Sequence, residues 1–176
     1  MNREHLQTLV DLWGEMGAVW GINRSMARVH ALLIGSDGPL GLDDISDQLD
    51  ISRGNASMVL KELRSWGVVR RVRRRGDRRD FYVSEPDMWT MFFRIVRERK
   101  RRELDPALAE LRRMLAAPDL GASPEVTTRL EQMEELLATG DRLLRQFLRD
   151  EHSGRSILAL LSGLAAGDGG RSDATV

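Results

Sequence analysis

Residues 40–67 read LGLDDISDQLDISRGNASMVLKELRSWG, and the fold turns on how this stretch is parsed. Leu42, Ile45 and Leu49 fall at i, i+3 and i+7, which sets them on one face of a short helix. Asp43 and Asp44 occupy its first turn, where carboxylates suit the positive end of the helix. Asp50 and Ile51 leave room only for a tight turn. Ser52 then caps a second helix, whose Ala56, Val59, Leu60 and Leu63 share one face and which Gly67 ends. The opposite face holds Arg53, Asn55, Ser57, Met58, Lys61 and Arg64. Two short helices joined by a few residues, the second polar and basic outside, have the layout of a helix-turn-helix.

The chain continues as WGVVRRVRRRGDRRDFYV, residues 66–83, with seven arginines around one Gly-Asp pair. Val68, Val69 and Val72 on one side and Phe81, Tyr82 and Val83 on the other read as two strands around a tight turn. Alternation puts Val72, Phe81 and Val83 beneath the hairpin and leaves arginines projecting near its tip. A hairpin directly after such a helix is a wing. From Arg53 to Tyr82 there are ten basic and three acidic residues, a balance of +7, in a chain whose net charge is zero. Positive charge concentrated in one segment, with an acidic remainder, is an electrostatic footprint for nucleic acid.

Upstream, Leu6, Leu9, Val10, Trp13 and Met16 predict an amphipathic helix over residues 2–20. Asn23 can cap another, bearing Met26, Val29, Leu32 and Leu33, which Gly35 ends before the turn SDGP. Downstream, Pro86 opens a mainly helical region. Met88, Trp89, Met91, Phe92, Phe93, Ile95 and Val96 are apolar nearly all round, so burial on more than one side is expected. The run RERKRRELD predicts exposure, and Leu104, Leu108, Leu111 and Leu115 then return at helical spacing, with Pro106 able to bend the helix without ending it. Ser123 and Pro124 start a further helix in which Val126, Leu130, Met133, Leu137, Leu144 and Phe147 follow a heptad pattern. That is the periodicity of an antiparallel pair or a dimer seam. A short apolar helix near residues 157–164 and a disordered tail complete the reading.

The expected architecture is mainly α: an N-terminal helix (1–21), a winged helix-turn-helix with a small β-hairpin wing (22–84), a helical dimerisation region (85–166) and a tail (167–176). No run of about eighteen apolar residues and no signal layout predict membrane insertion or secretion, so a cytoplasmic protein is expected. Cysteine is absent, which removes disulfides, thiol nucleophiles and cysteine metal sites. His5, His30 and His152 lie far apart without metal spacing, and no triad, phosphate loop or paired-carboxylate motif stands out. No cofactor and no enzyme activity are therefore expected.

The candidate contacts to double-stranded DNA are Ser52, Arg53, Gly54, Asn55, Ser57, Met58 and Lys61 on the second helix. Arginine suits guanine and asparagine suits adenine, while Gly54 lets the backbone approach a phosphate. On the wing they are Arg73, Arg74, Arg75, Gly76, Arg78 and Arg79, which would neutralise phosphates or enter the minor groove. Trp13, Trp20, Trp89, Phe92 and Phe93 are either core residues or the walls of a pocket for a small-molecule effector, with a quaternary ammonium as one candidate. A winged helix that docks a protein, or an architectural DNA binder, are the alternatives on these residues.

The stretches GINRSMARVHALL, ISRGNASMVLKELRSWGVVRRV, GDRRDFY and MWTMFFRIVRERKRRELDPAL resemble the GbsR-like branch of the MarR group of bacterial transcriptional regulators. The resemblance runs from about Trp13 to Leu115. It implies a winged-helix homodimer that binds palindromic operator DNA, with helices from both chain ends in the dimer interface. Leu6 would join that interface from the N-terminal side and Leu130, Met133, Leu137, Leu144 and Phe147 from the heptad helix. Ser52, Arg53, Asn55 and Ser57 would lie on the recognition helix and Gly76, Asp77, Arg78 and Arg79 at the wing tip. The branch includes regulators that respond to choline, but no choline-site motif can be matched here residue by residue.

Overall fold

In the computed structural model, which describes residues 1–118 and 120–168, the chain divides into two compact units, Met1–Ile95 and Val96–Val176. Of the tail expected at residues 167–176, Gly167 and Asp168 instead belong to the last helix, Glu151–Asp168, and residues 169–176 lie outside the described residues.

The first unit begins with α1 (Arg3–Val19) and α2 (Arg24–Ile34), each started by an asparagine. The Asn2 and Asn23 carboxamides accept the backbone N–H of His5 (2.8 Å) and of Met26 (3.2 Å), satisfying amides that have no partner inside the helix. The two helices pack against each other closely enough that a Cβ at Gly35 would fall 2.5 Å from Leu6 Cδ1. Close approach, rather than an unusual backbone angle, is what Gly35 provides.

The helix-turn-helix is α3 (Leu42–Leu49) and α4 (Arg53–Ser65). Asp50, at φ 50°, makes the turn in the left-handed region, which Asp tolerates better than most residues. Ser46 Oγ closes it by donating to the Ile51 carbonyl at 2.5 Å. Ile45, Leu49, Ala56, Val59, Leu60 and Leu63 are buried together with Val29, Leu32 and Val68 in a core that also takes Val10 from α1. Gly67, at φ +73°, ends α4 as its spacing predicts.

The wing is a three-stranded sheet, not the hairpin alone. β2 (Val69–Arg73) and β3 (Asp80–Ser84) pair with Val72 opposite Phe81 and Arg70 opposite Val83. That register puts Val72, Phe81 and Val83 on one face, as alternation requires. β1 (Leu40–Gly41) adds to the other edge of β3, giving the order β1-β3-β2. Only two residues long and hemmed by Pro39 and Gly38, β1 carries no alternation from which it could have been read.

α5 (Met88–Arg99) starts after Pro86, not at it, because the Asp87 carboxylate accepts the Thr90 N–H at 2.6 Å and takes the capping role. Met91 and Phe93, two positions apart and so about 200° around the helix, are both buried, which agrees with the expected burial on more than one side, whereas Met88, Trp89 and Phe92 are exposed. The unit boundary falls within α5.

In the second unit a π-helical turn, Lys100–Leu104, runs into α6 (Asp105–Leu115). Pro106 offers no N–H to the carbonyl of Arg102 and its ring crowds that carbonyl, so a widened turn before it is the expected accommodation. The charged run here is not simply exposed: Glu98 is buried under bonds from Arg101 and Arg102, and Lys100 is enclosed between Asp105 and Asp141. α7 (Pro124–Phe147), capped by Ser123 as read from sequence, packs on α6, and α8 (Glu151–Asp168) follows. Among the described residues no helix is long and apolar enough to cross a membrane.

Candidate nucleic-acid interface

The outer face of α4 is open. Ser52, Arg53, Gly54, Ser57, Met58, Lys61 and Arg64 are exposed, and Asn55 sits half-buried at the edge of that face. Ser52 Oγ accepts the Asn55 N–H at 3.2 Å, which holds the first turn and leaves the remaining N-terminal amides pointing outward. A Cβ at Gly54 would meet nothing nearer than Ser52 Oγ at 4.0 Å. The fold itself therefore does not require glycine there, and a smooth backbone is left facing solvent. Met58, 69% exposed in the middle of a polar face, is an apolar contact without an internal partner to satisfy it.

The wing arginines separate into two groups. Arg79 closes a clip on Asp77, with its guanidinium at 2.7 Å and its own backbone N–H at 2.9 Å from the carboxylate. Those hydrogen bonds hold Asp77 down to about 2, and the same pairing raises Arg79 further. Arg74 donates to the Pro39 carbonyl at 2.7 Å and lies over the Phe81 ring, 4.4 Å from its centroid, with Arg79 at 5.4 Å from the same centroid. Phe81 is 2% exposed. Two of the arginines expected to meet DNA thus build the wing, because an aromatic ring on a small sheet needs a cover and a guanidinium can supply one while keeping its edge wet. Arg73, Arg75 and Arg78 are exposed with no ion-pair partner among the described residues. Gly76, at φ +84° and with nothing within 4 Å of an added Cβ, makes the tip on backbone conformation alone.

Behind the two helix starts lies a cavity of about 250 Å³, lined by Asp43, Asp44, Arg53, Arg79, Asp80 and Tyr82 among others. Asp44 accepts the Gly41 N–H at 2.8 Å and so caps α3. Asp43 pairs with Arg53 at 2.5 Å. Sequence spacing put Asp43 at a favourable helix start but gave no sign that it reaches the recognition helix.

The aromatic set is dispersed over several environments. Trp13 is half-buried against the core of the first unit, Trp20 is exposed at the end of α1, and Trp89, Phe92 and Phe93 form an edge-to-face series on α5, with centroids 6.3 and 5.7 Å apart. Phe93 alone is fully buried.

The heptad helix shows two stripes. Leu130, Leu137, Leu144 and Phe147 are half-buried on the side that carries buried Ala138 and Asp141, and Leu6 packs on the core of the first unit. Val126, Met133, Leu136 and Leu143 are exposed, Leu136 to 72% and Leu143 to 67%. A period of seven fits both stripes, so spacing could not say which one α6 covers. Asp141 decides it, drawn inside by Lys100 at 2.8 Å.

This geometry defines a class: a winged helix-turn-helix with an exposed polar recognition helix and a basic wing. Residues 20–80 match the MarR family model. The chain is 26% identical over 146 residues to the HTH-type transcriptional repressor GbsR of Bacillus subtilis strain 168, spanning 78% of this chain and 81% of the repressor. A crystal structure of a transcriptional regulator superimposes with a TM-score of 0.58 at 22% identity, covering 82% of this chain and 95% of that one, a likeness of fold.

Proposed function

We propose that this chain is a homodimeric transcriptional regulator that represses by occupying an inverted-repeat operator. The observation that carries the reading is the division of labour on one surface. α4 offers Arg53, Asn55, Ser57, Met58 and Lys61 for the major groove, while Arg73, Arg75 and Arg78 stand free on a wing held rigid by Arg74, Arg79 and Phe81. Helix residues read base edges, Met58 suiting a thymine methyl, and wing arginines neutralise phosphates or enter a narrow minor groove. The match to the MarR family model and the likeness to a repressor support regulation of transcription over catalysis.

Dimerisation is supported by the apolar stripe Val126, Met133, Leu136 and Leu143, which nothing in this chain covers among the described residues. Two recognition helices would meet successive major grooves about one helical turn apart, roughly 34 Å. The test is footprinting across the genome of origin. Short protected inverted repeats at a few promoters are expected; broad coverage would mean an architectural protein, and no protection together with no gel shift would mean a protein-docking winged helix.

A further inference from the structure

We propose that Asp43 is a positioning residue for base selection: by pairing with Arg53 it restrains the first cation of the recognition helix and withholds it from the DNA backbone. The inference rests on the DNA-binding reading above and deepens it.

Arg53 is the first residue of α4, at the positive end of the helix dipole, where a cation is disfavoured. Asp43 sits in the first turn of α3, where an anion is favoured, and its carboxylate lies 2.5 Å from the Arg53 guanidinium. The ion pair therefore bridges the N-termini of the two helices and offsets the misplaced cation with a well-placed anion. The adjacent Asp44 is committed to capping α3 through the Gly41 N–H, so the two neighbouring carboxylates have separate tasks. Arg53 is otherwise 69% exposed at the start of the reading face, on a long side chain with many rotamers.

An unrestrained arginine there would reach whichever phosphate came near, adding affinity for every sequence equally. Held by Asp43, its fork is pre-oriented and its charge is matched, so a phosphate must compete with a carboxylate. A planar guanine edge can meet the donors that Asp43 leaves free. The carboxylate lowers total affinity and raises the ratio between right and wrong sites.

The experiment compares wild type, Asp43→Asn, Arg53→Ala and the double variant on the footprinted operator and on a random duplex, across a salt series. Asp43→Asn should bind random DNA several-fold more tightly, with a salt slope steeper by about 1, and should lose about threefold to tenfold in operator-to-random ratio. Adding Asp43→Asn to Arg53→Ala should change neither quantity, and Asp43→Glu should restore part of the ratio. An unchanged slope and ratio in Asp43→Asn would overturn the inference, as would an equal loss on both duplexes accompanied by a lower melting temperature, which would make Asp43 purely structural. If wild type shows no salt-dependent binding to either duplex, the DNA-binding reading falls and this inference with it.

Discussion

Arg74 lies over the Phe81 ring with its guanidinium carbon 4.4 Å from the centroid, and spends its Nη2 on the Pro39 carbonyl. It ties the two edges of the sheet together, since Arg74 directly follows edge strand β2 and Pro39 leads into edge strand β1, with Phe81 on the central strand β3 between them. Arg74→Ala should therefore destabilise the module by about 1 kcal/mol in urea titration and weaken DNA binding with little change in salt slope. Arg74→Lys should recover little, because a lysine cannot stack and donate in the same geometry.

Arg75 and Arg78 should behave in the opposite way. Neither has an ion-pair partner among the described residues, so their removal should leave the melting temperature unchanged. Each alanine substitution should weaken binding evenly across sequences and flatten the salt slope by about 1, measured by fluorescence anisotropy from 50 to 200 mM salt. A change in sequence preference would show that the wing reads bases.

His30 sets a pH limit on stability. It is buried in α2 with Nε2 3.4 Å from Ser84 Oγ, and burial pushes its pKa down from 6.5 to about 4. The unfolded chain takes up this proton as pH falls through 6.5, whereas the folded chain resists until about 4. Stability should be fully present above the unfolded pKa and decline between those values, by up to about 3 kcal/mol. Urea midpoints at pH 7.5, 6, 5 and 4 check this, and His30→Gln should shallow the decline specifically in that window.

The exposed stripe of α7 predicts the oligomer. Leu136→Glu and Leu143→Glu together should give a monomer by light scattering at micromolar concentration and greatly weaken operator binding, with helix content retained. Leu137, half-buried on the opposite stripe, is the control: Leu137→Ala should lower stability rather than dissociate a folded dimer.

The parts of the fold that repeat a local rule were legible in the sequence. Ser52 and Asn23 as caps, Gly67 as a stop and the buried set Ala56, Val59, Leu60 and Leu63 each follow from spacing within one element. What was not legible depends on distant partners. Asp43 meets Arg53 ten positions on, Arg74 meets Pro39 from the far side of the helix-turn-helix, and Asp141 turns a surface position into an interior one through Lys100. For the same reason Leu136 and Leu143 were passed over in favour of Leu137 and Leu144. One turn of helix offers both pairs at the same period, and an ion pair between segments chooses.

The enclosure of Lys100 also leaves the chain with an unusual chemical handle. Lysine occurs only at positions 61 and 100, and the side chain of Lys100 is 12% exposed, gripped by two carboxylates that raise its pKa. Apart from the α-amine, Lys61 is then the one primary amine open to acylating reagents, and it stands on the outer face of α4. A fluorophore or crosslinker added by simple amine chemistry should label that helix in the unaltered protein, and bound DNA should shield it.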